Sequence, residues 1–592
     1  MIHSTKGIPA QPRPISYDVA TFADLKSRIA QGLLDGDASI HITAGFYIES
    51  IINITGDDTQ TIRLIGDSPD SMPVLKRSSA FDNFFFNLKN VKLIIENVVL
   101  DGNKEETLGL ANCKSLICLD NGAKLELTGY TILKNNYCGN TGTPGAAIGT
   151  KSNITNGVEI TMSDYARITE NISAIRGGGI GINSNAASKI IMKDNSRIDH
   201  NTASNYGGGI FSKNTTIEML DNSMIEYNMS SHGGGGIYAE NSPNITISQN
   251  SRIAANESTG NGGGIYARHQ DGSGECLITL NDDASIEMNT AGESGGGAYI
   301  IDNVKFDMKN RAKLCGNYAF GNGGGLYAAK YTEVNIKKDA QICDNESEAS
   351  GGGLYLANTT NTLVVISGTA SFTRNTAKDD GGAIGFINKF NLSNLQIYSS
   401  GVTFAENKAS VAYAFDEKDR AAYEENISAT EFSYGFPEGY NNYDIQYIAS
   451  EASKLYSITY KDDAGNDVVD FLSGDQTLNE LAPPTRENAH FLGWYEDENY
   501  IQKLDESELV YKDMIVYPLL ECNPGYAETV IDGKITCEKV PLQWVFRLSH
   551  IDADCGACSP NAAMHYYKAG VLKKGKPDVC DFFLMTLKQV QL

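Results

Sequence analysis

The sequence predicts a mainly β protein: a single-stranded right-handed parallel β-helix, or solenoid, with an N-terminal helical cap, a small β-grasp-like module and a cysteine-containing tail. Three observations carry this. Glycine supplies 59 of 592 residues and clusters in triplets, an asparagine recurs at a fixed distance before each triplet, and short alternating segments fill the space between. The length also exceeds the roughly 250–300 residues at which one compact core stops growing, so a repeat array or several domains is required.

Eight consecutive segments read apolar-x-x-Asn, five variable residues, a glycine-rich triplet and usually Ile or Leu. The asparagines are Asn171, Asn201, Asn228, Asn256, Asn289, Asn317, Asn345 and Asn375. The post-glycine residues Ile180, Ile210, Ile237, Ile265, Ala298, Leu326, Leu354 and Ile384 each follow nine positions later. Looser copies flank the array at Asn135 and Asn407. Between repeats the step from the post-glycine residue to the next apolar-x-x-Asn varies from 15 to 21 residues, so insertions fall at the other corners. In GGGIYARHQDGSGECLITLNDDASIEMN three strands (IYAR, CLITL, ASIEM) are separated by polar turns. Such a unit cannot bury its own apolar face, whereas stacked copies can.

The signature residues have structural causes. An Asn at a corner tolerates the left-handed conformation, and stacked amides bond one another as a ladder. Glycine costs ~1 kcal/mol relative to Ala, so triplets imply positive φ or close approach of coils. Between Gly145 and Phe436 only Pro243 occurs, as expected where backbone N–H groups are committed to pairing.

Upstream, SIHITAG, IINIT, TIRLIGD, VKLIIENVVLDG and SLICLDNGAKLELTG extend the helix. TFADLKSRIAQGLL, with Phe22, Leu25, Ile29 and Leu33 at helical spacing and Thr21 or Asp18 as cap, is placed over the first open coil. AFDEKDRAAYEENISA is expected to cover the other end. The organisation is an arm and capping helix at 1–38, a β-helix at 39–435, a linker at 436–455, a module at 456–521 and a cysteine-containing region at 522–592. At one strand spacing per coil, about twelve coils span ~60 Å.

Charge and composition exclude other classes. A net charge of −25 repels a phosphate backbone, so no nucleic-acid partner is expected. No apolar run approaches the ~20 residues that span a bilayer, so no direct membrane span is expected. The first residues lack a secretory-signal pattern, so export by another route or an incomplete chain is expected.

Phe372-x-x-Asn375 followed by Gly381-Gly382-Ala383-Ile384, with Phe404-x-x-Asn407 after it, resembles the repeats of chlamydial polymorphic membrane proteins and related β-helical adhesins. The resemblance covers about half of the chain and implies an adhesive surface domain. That family's signal peptide and C-terminal membrane barrel are not recognised here. YSITYKDDAGNDVV, Pro483-Pro484, HFLGWYEDENY and MIVYPLLE resemble one Listeria-Bacteroides repeat of the internalin B-repeat type, a spacer module on bacterial surfaces. Its expected aromatic core is Phe491, Trp494 and Tyr495.

Alternation in the post-glycine strands turns Phe211, Tyr238, Tyr266, Tyr299, Tyr327 and Tyr355 outward, forming an aromatic stripe suited to the apolar faces of sugar rings or to a protein partner. The alternative is a ladder of cross-strand pairs that stiffens the sheet. ARHQDGSGE at 267–275 is an insertion able to shape a groove beside it. Cys315 and Cys343 occupy equivalent places in adjacent repeats, leaving a disulfide or stacked free thiols open. In the tail, Cys522, Cys537, Cys555 and Cys558 are disulfide candidates. Cys555-x-x-Cys558 with His550, His565 and Cys580 offers zinc-ligand types but a single CxxC, so neither metal nor cofactor is expected. Asp282-Asp283 and Asp379-Asp380 read as solvated turn acids rather than the carboxylate pair or Ca²⁺ cluster of a polysaccharide-cleaving β-helix. The functional expectation is therefore a non-enzymatic extracellular or cell-surface adhesin-like protein binding a host-surface glycan or protein. A pectate lyase-like or polygalacturonase-like enzyme and a phage tail fibre or spike module are the alternatives.

Overall fold

The computed structural model describes residues 15–539 except 108–112, 140–141, 242–243, 271–275, 358–360, 388–393, 399–400, 414–438, 448–453, 463, 474–475, 509, 511 and 532–533. Beyond 539 it describes the strands at 544–551, 564–568, 571–575 and 582–589. The chain divides into two units, Met1–Ser453 and Lys454–Leu592.

The first unit is a parallel β-helix. One coil shows its construction: Ile265–Arg268, Cys276–Leu280, Ser285–Glu287 and Thr290–Ala291 each pair in parallel with the equivalent strands of the coils before and after. The coil therefore carries four strands rather than the three expected; the fourth is a two-residue strand just after the ladder asparagine. Its shortness hid it, since two residues show no alternation. The strands stack into sheets of 24, 13 and 9. The largest holds two strands per coil because Ile180–Met192 and Ile210–Met219 run through the intervening corner unbroken. Inward residues form aliphatic files, such as Ile198, Ile225, Ile253 and Ile286, all fully buried. Each contributes roughly 1.5–3 kcal/mol by burial, in one core continuous from Val19 to Tyr447.

The three glycines of a triplet have three different reasons. Gly234 takes φ 62°, and a Cβ there would stand 2.2 Å from the Ile237 carbonyl oxygen of its own turn. At Gly235 a Cβ would lie 2.4 Å and 2.5 Å from the Gly263 and Glu257 carbonyls of the next coil, and at Gly236 2.7 Å from the Gly264 carbonyl. The first glycine makes the turn, and the other two let coils approach.

The asparagines stack inside the corner. From Asn171 to Asn375, each rung donates its backbone N–H and its Nδ2 to the Oδ1 of the next, through Asn201, Asn228, Asn256, Asn289, Asn317 and Asn345 to Asn407, at 2.9–3.2 Å. The left-handed residue is not the asparagine but the one before it: Glu170, His200, Tyr227, Ala255, Met288, Gly316, Asp344, Arg374 and Glu406 all have positive φ. Most of these side chains disfavour that region by ~1–2 kcal/mol, so the amide network dictates the corner. At the N-terminal end Asn135 is the left-handed residue and Asn136 the rung, donating its N–H to Asn171 Oδ1 at 3.1 Å.

Both ends of the ladder are closed by charge. The Asn136 Oδ1 accepts from the guanidinium of fully buried Arg77 at 3.0 Å, and the Asn407 Nδ2 donates to Asp444 Oδ1 at 2.9 Å. The amide dipoles point one way along the file, so a cation at its oxygen end and an anion at its nitrogen end are each favourable.

Further closures complete the rod. Helix Phe22–Asp35 is capped by Thr21, whose hydroxyl accepts from Asp24 N at 3.2 Å, and it buries Leu25 and Ile29. Strand Ile15–Val19, in the segment expected to be an arm, pairs with Asp37–Ile42 as the first rung. At the far end residues 439–447, assigned from sequence to a linker, place Tyr440, Ile445 and Tyr447 in the core. There Asn442 Oδ1 accepts from Gly381 N at 3.1 Å and Gln446 Oε1 from Phe386 N at 2.7 Å. The expected cap AFDEKDRAAYEENISA lies outside the described residues.

In the second unit, Lys454–Lys461 pairs antiparallel with Asp467–Ser473 and parallel with Met514–Ile515, while Ala489–Tyr495 pairs antiparallel with Tyr517–Cys522. Trp494 is buried, with Tyr460 and Phe491 edge-on at 5.0 and 5.2 Å. Tyr495, expected in this core, instead meets Tyr500 edge-on at 5.5 Å; the register turns it to the opposite side from Trp494. Tyr460 takes its place. A disulfide joins Cys522, at the end of Tyr517–Cys522, to Cys537 within the hairpin of Tyr526–Ile531 and Lys534–Lys539. Cys555 and Cys558 lie outside the described residues.

Candidate functional site

The six aromatics predicted from alternation stand in strict register on one outer face. Ring centroids are separated by 5.6, 4.8, 5.0, 4.6 and 5.5 Å from Phe211 through Tyr238, Tyr266, Tyr299 and Tyr327 to Tyr355. Glycine brackets the stack, with Gly181 paired to Phe211 and Gly385 to Tyr355.

Two corrections follow. Phe211 and Tyr238, expected to be presented outward, are 1% and 2% exposed. Tyr206 lies 4.5 Å from the Tyr238 ring, and the Arg176 guanidinium stands 5.0 Å over Phe211. Only Tyr266, Tyr299, Tyr327 and Tyr355 are half-buried and reach solvent. Moreover, neighbouring rings are within 6–21° of parallel throughout, so the ring faces expected to receive sugars are engaged with each other along the stack. What the stack offers laterally is ring edges and hydroxyls. Sequence alternation gives the side of a strand on which a residue lies, but neither the tilt of its ring nor what a neighbouring turn lays over it.

A polar ladder runs beside the tyrosines. Asn261 Oδ1 accepts from Ser294 N at 3.0 Å, Ser294 Oγ from Asn322 N at 3.1 Å, and Asn322 Oδ1 from Ser350 N at 3.1 Å. On the other flank lie the ion pairs Arg268–Glu240 at 3.4 Å and Lys330–Asp302 at 3.1 Å. The insertion at 267–275 is described only to residue 270.

Burial raises the phenols of Tyr238, Tyr266, Tyr299, Tyr327 and Tyr355 above their ordinary value of 10.0. The unfolded chain therefore loses these protons first as pH rises. The stabilisation is complete below about pH 10 and is lost as pH climbs through the raised folded values. Melting temperatures between about pH 9 and 12 are expected to fall less steeply in the Tyr266→Phe/Tyr299→Phe/Tyr327→Phe variant than in the natural chain. Parallel curves would mean that the stripe phenols ionise as freely when folded as when unfolded.

The acid pairs singled out in the sequence are tied to neighbouring coils. Asp283 holds Arg311 through two bonds of 2.7 and 2.6 Å, Asp282 accepts from Asn310 Nδ2 at 3.2 Å, and Asp380 accepts from Asn442 Nδ2 at 3.0 Å. Cys315 and Cys343 are joined, with Cα atoms 4.5 Å apart. Burial pushes the free thiols of Cys118 and Cys276 up to about 12, which keeps them unreactive.

Two clefts were missed from sequence. Both open at the corner between the post-glycine strand and the next strand, where the repeat length varies. One, of about 640 Å³, is lined by Lys124, Glu159, Lys189 and Glu218; the other, of about 400 Å³, is lined by Lys305, Tyr331, Thr332 and Glu333. The varying 15-to-21-residue step was their only sequence signal.

Residues 456–517 match the Listeria-Bacteroides repeat domain family. No curated protein and no solved structure matches the chain.

Proposed function

We propose that this chain is a non-enzymatic, adhesin-like protein of the bacterial surface or surroundings, whose β-helical rod contacts a host-surface protein or glycan along its tyrosine-bearing face. The observation that carries this reading is the row Tyr266, Tyr299, Tyr327 and Tyr355, half-buried and held in register by stacking. Ring edges and hydroxyls beside an amide and hydroxyl ladder give a regular surface that mixes apolar and hydrogen-bonding groups, the composition favoured at recognition surfaces. Two further features support the setting. The Listeria-Bacteroides repeat is a module typical of surface proteins, and two disulfides suit an oxidising compartment. Among the described residues no helix is long and apolar enough to cross a membrane.

The test is binding of the full chain to arrays of host-surface proteins and glycans, with polyuronates incubated in parallel. The Tyr266→Ser/Tyr299→Ser/Tyr327→Ser variant, checked for native circular dichroism, is expected to bind at least about tenfold more weakly, equivalent to ~1.4 kcal/mol. The matching Phe variant should fall between the two. Equal binding by the Ser variant and the natural chain would remove the stripe from the site, and cleavage of a polyuronate would place the chain among enzymes.

A further inference from the structure

We propose that the tyrosine row takes a linear, neutral, β-1,4-linked glycan laid along the rod axis, one sugar per coil. This inference rests on the function proposed above and names the ligand class of the same face.

Two periods run side by side here. Tyr266, Tyr299, Tyr327 and Tyr355 recur in every coil, with ring centroids 5.0, 4.6 and 5.5 Å apart. Both flanks repeat only in every second coil. Five residues before each of these tyrosines stand Asn261, Ser294, Asn322 and Ser350 in turn, an amide alternating with a hydroxyl, all half-buried. Two or three residues after Tyr238, Tyr266, Tyr299 and Tyr327 stand Glu240, Arg268, Asp302 and Lys330, alternating in sign.

Only one of the two alternations serves the fold. Opposite signs pair neighbouring coils, Arg268 with Glu240 and Lys330 with Asp302. The alternation of amide and hydroxyl has no such cause. Each of these side chains accepts the backbone N–H of its successor, a task that a uniform file of asparagines performs equally well at the buried corner. Moreover, the Asn322 Nδ2 and the hydroxyl hydrogens of Ser294 and Ser350 have no acceptor among the described residues, so the flank keeps donors for a ligand.

A ligand that meets a tyrosine in every coil and the same flank in every second coil must advance about one strand spacing, ~4.8 Å, per unit and turn over from each unit to the next. An extended polypeptide turns over but advances only ~3.3 Å per residue, so it falls out of step within two coils. A β-1,4-linked pyranose chain meets both conditions. With both linkage bonds equatorial, each sugar carries the chain forward by close to one coil and is flipped relative to the last, so its hydroxymethyl side faces the two flanks by turns. Each ring then rests against one tyrosine edge and hydroxyl and presents hydroxyls to the amide ladder and the ion pairs. An α-1,4-linked chain curls and loses this register. Neutral sugars are selected because the flank charges are paired and the net charge of −25 opposes a polyuronate.

The experiment titrates the full chain, by calorimetry, with di- to hexasaccharides of the cello, manno and N-acetylchito series, beside maltohexaose and laminarihexaose. At least one β-1,4 series is expected to bind saturably, with affinity rising at each added sugar up to the tetrasaccharide, when every solvent-reaching tyrosine is engaged, and levelling beyond it. Maltohexaose and laminarihexaose should bind at least about tenfold more weakly. Ser294→Asn/Ser350→Asn makes the flank a uniform amide ladder and leaves the tyrosines in place; it should weaken tetrasaccharide binding about fivefold or more with Tm unchanged. Tyr266→Ser/Tyr299→Ser/Tyr327→Ser should abolish that binding. The inference is overturned if no β-1,4 series binds, if maltohexaose binds as tightly, if di- and hexasaccharide bind equally, or if either variant binds as the natural chain does. Array binding that is lost in the tyrosine variant while no β-1,4 series binds would leave the row as a recognition face and remove only its assignment to this glycan.

Discussion

Replacing Asn256 by Ala is expected to destabilise the β-helix by about 3–5 kcal/mol, more than most deletions of a single polar side chain. The side chain sits at the centre of four buried bonds. Its Oδ1 accepts from Asn228 N and Asn228 Nδ2, each at 3.0 Å, and its Nδ2 donates to Ile225 O at 2.9 Å and Asn289 Oδ1 at 3.0 Å. Alanine supplies none of these and admits no water, so a backbone donor and acceptors are stranded in a dry corner. Asn256→Asp is expected to be nearly as harmful, because a carboxylate then faces two carbonyl oxygens. The same carboxylate is accommodated at Asp444, where the ladder ends: its Oδ1 accepts from Asn407 Nδ2 at 2.9 Å and its Oδ2 from Asn441 Nδ2 at 3.2 Å. Denaturant unfolding of the three proteins decides the point: a midpoint for Asn256→Ala within error of the natural chain would mean that the file of amides adds nothing to the packed aliphatics.

Gly235→Ala is expected to cost about 3 kcal/mol or more, at the upper end of overpacking effects. Its Cβ would meet two carbonyl oxygens of the neighbouring coil at 2.4 and 2.5 Å, and both belong to backbone held in register from either side. Neither coil can yield without stretching its ladder. Gly465→Ala provides the contrast, since that residue has φ 84° but nothing within 4 Å, leaving only the ~1–2 kcal/mol of a left-handed alanine. Comparable losses at the two positions would show that conformation alone, and not the approach of coils, keeps the triplet glycine.

The difference between these positions also shows what a sequence of this kind reveals. Repetition makes the coil legible, because a nine-residue Asn-to-post-glycine spacing persists only where each copy touches the next in the same way. The inward files of Ile and Leu follow from the same period. Residues whose geometry is imposed from outside are not legible. Ala255, Met288 and Tyr227 carry no common mark, yet all are left-handed because the asparagine after each is fixed by its neighbours. Arg77 reads as an ordinary strand residue, and only the structure shows its guanidinium closing the amide file. The tyrosine row was legible as a row, but its burial at Phe211 and Tyr238 depends on Tyr206, Arg176 and Arg268, which belong to turns and neighbouring strands. The clefts depend on loop paths at the one corner where the repeat is irregular.

The closure of the asparagine file by Arg77 and Asp444 bears on how such a molecule changes over generations. Every interior coil presents an amide acceptor to one neighbour and an amide donor to the other, so a coil gained or lost by recombination between repeats restores the same junction. The two charged ends are untouched by such an event and need no compensating substitution. Length can change in steps of one coil, each step adding or removing one rung of the ladder and one layer of the core, while the two charged endpoints stay constant.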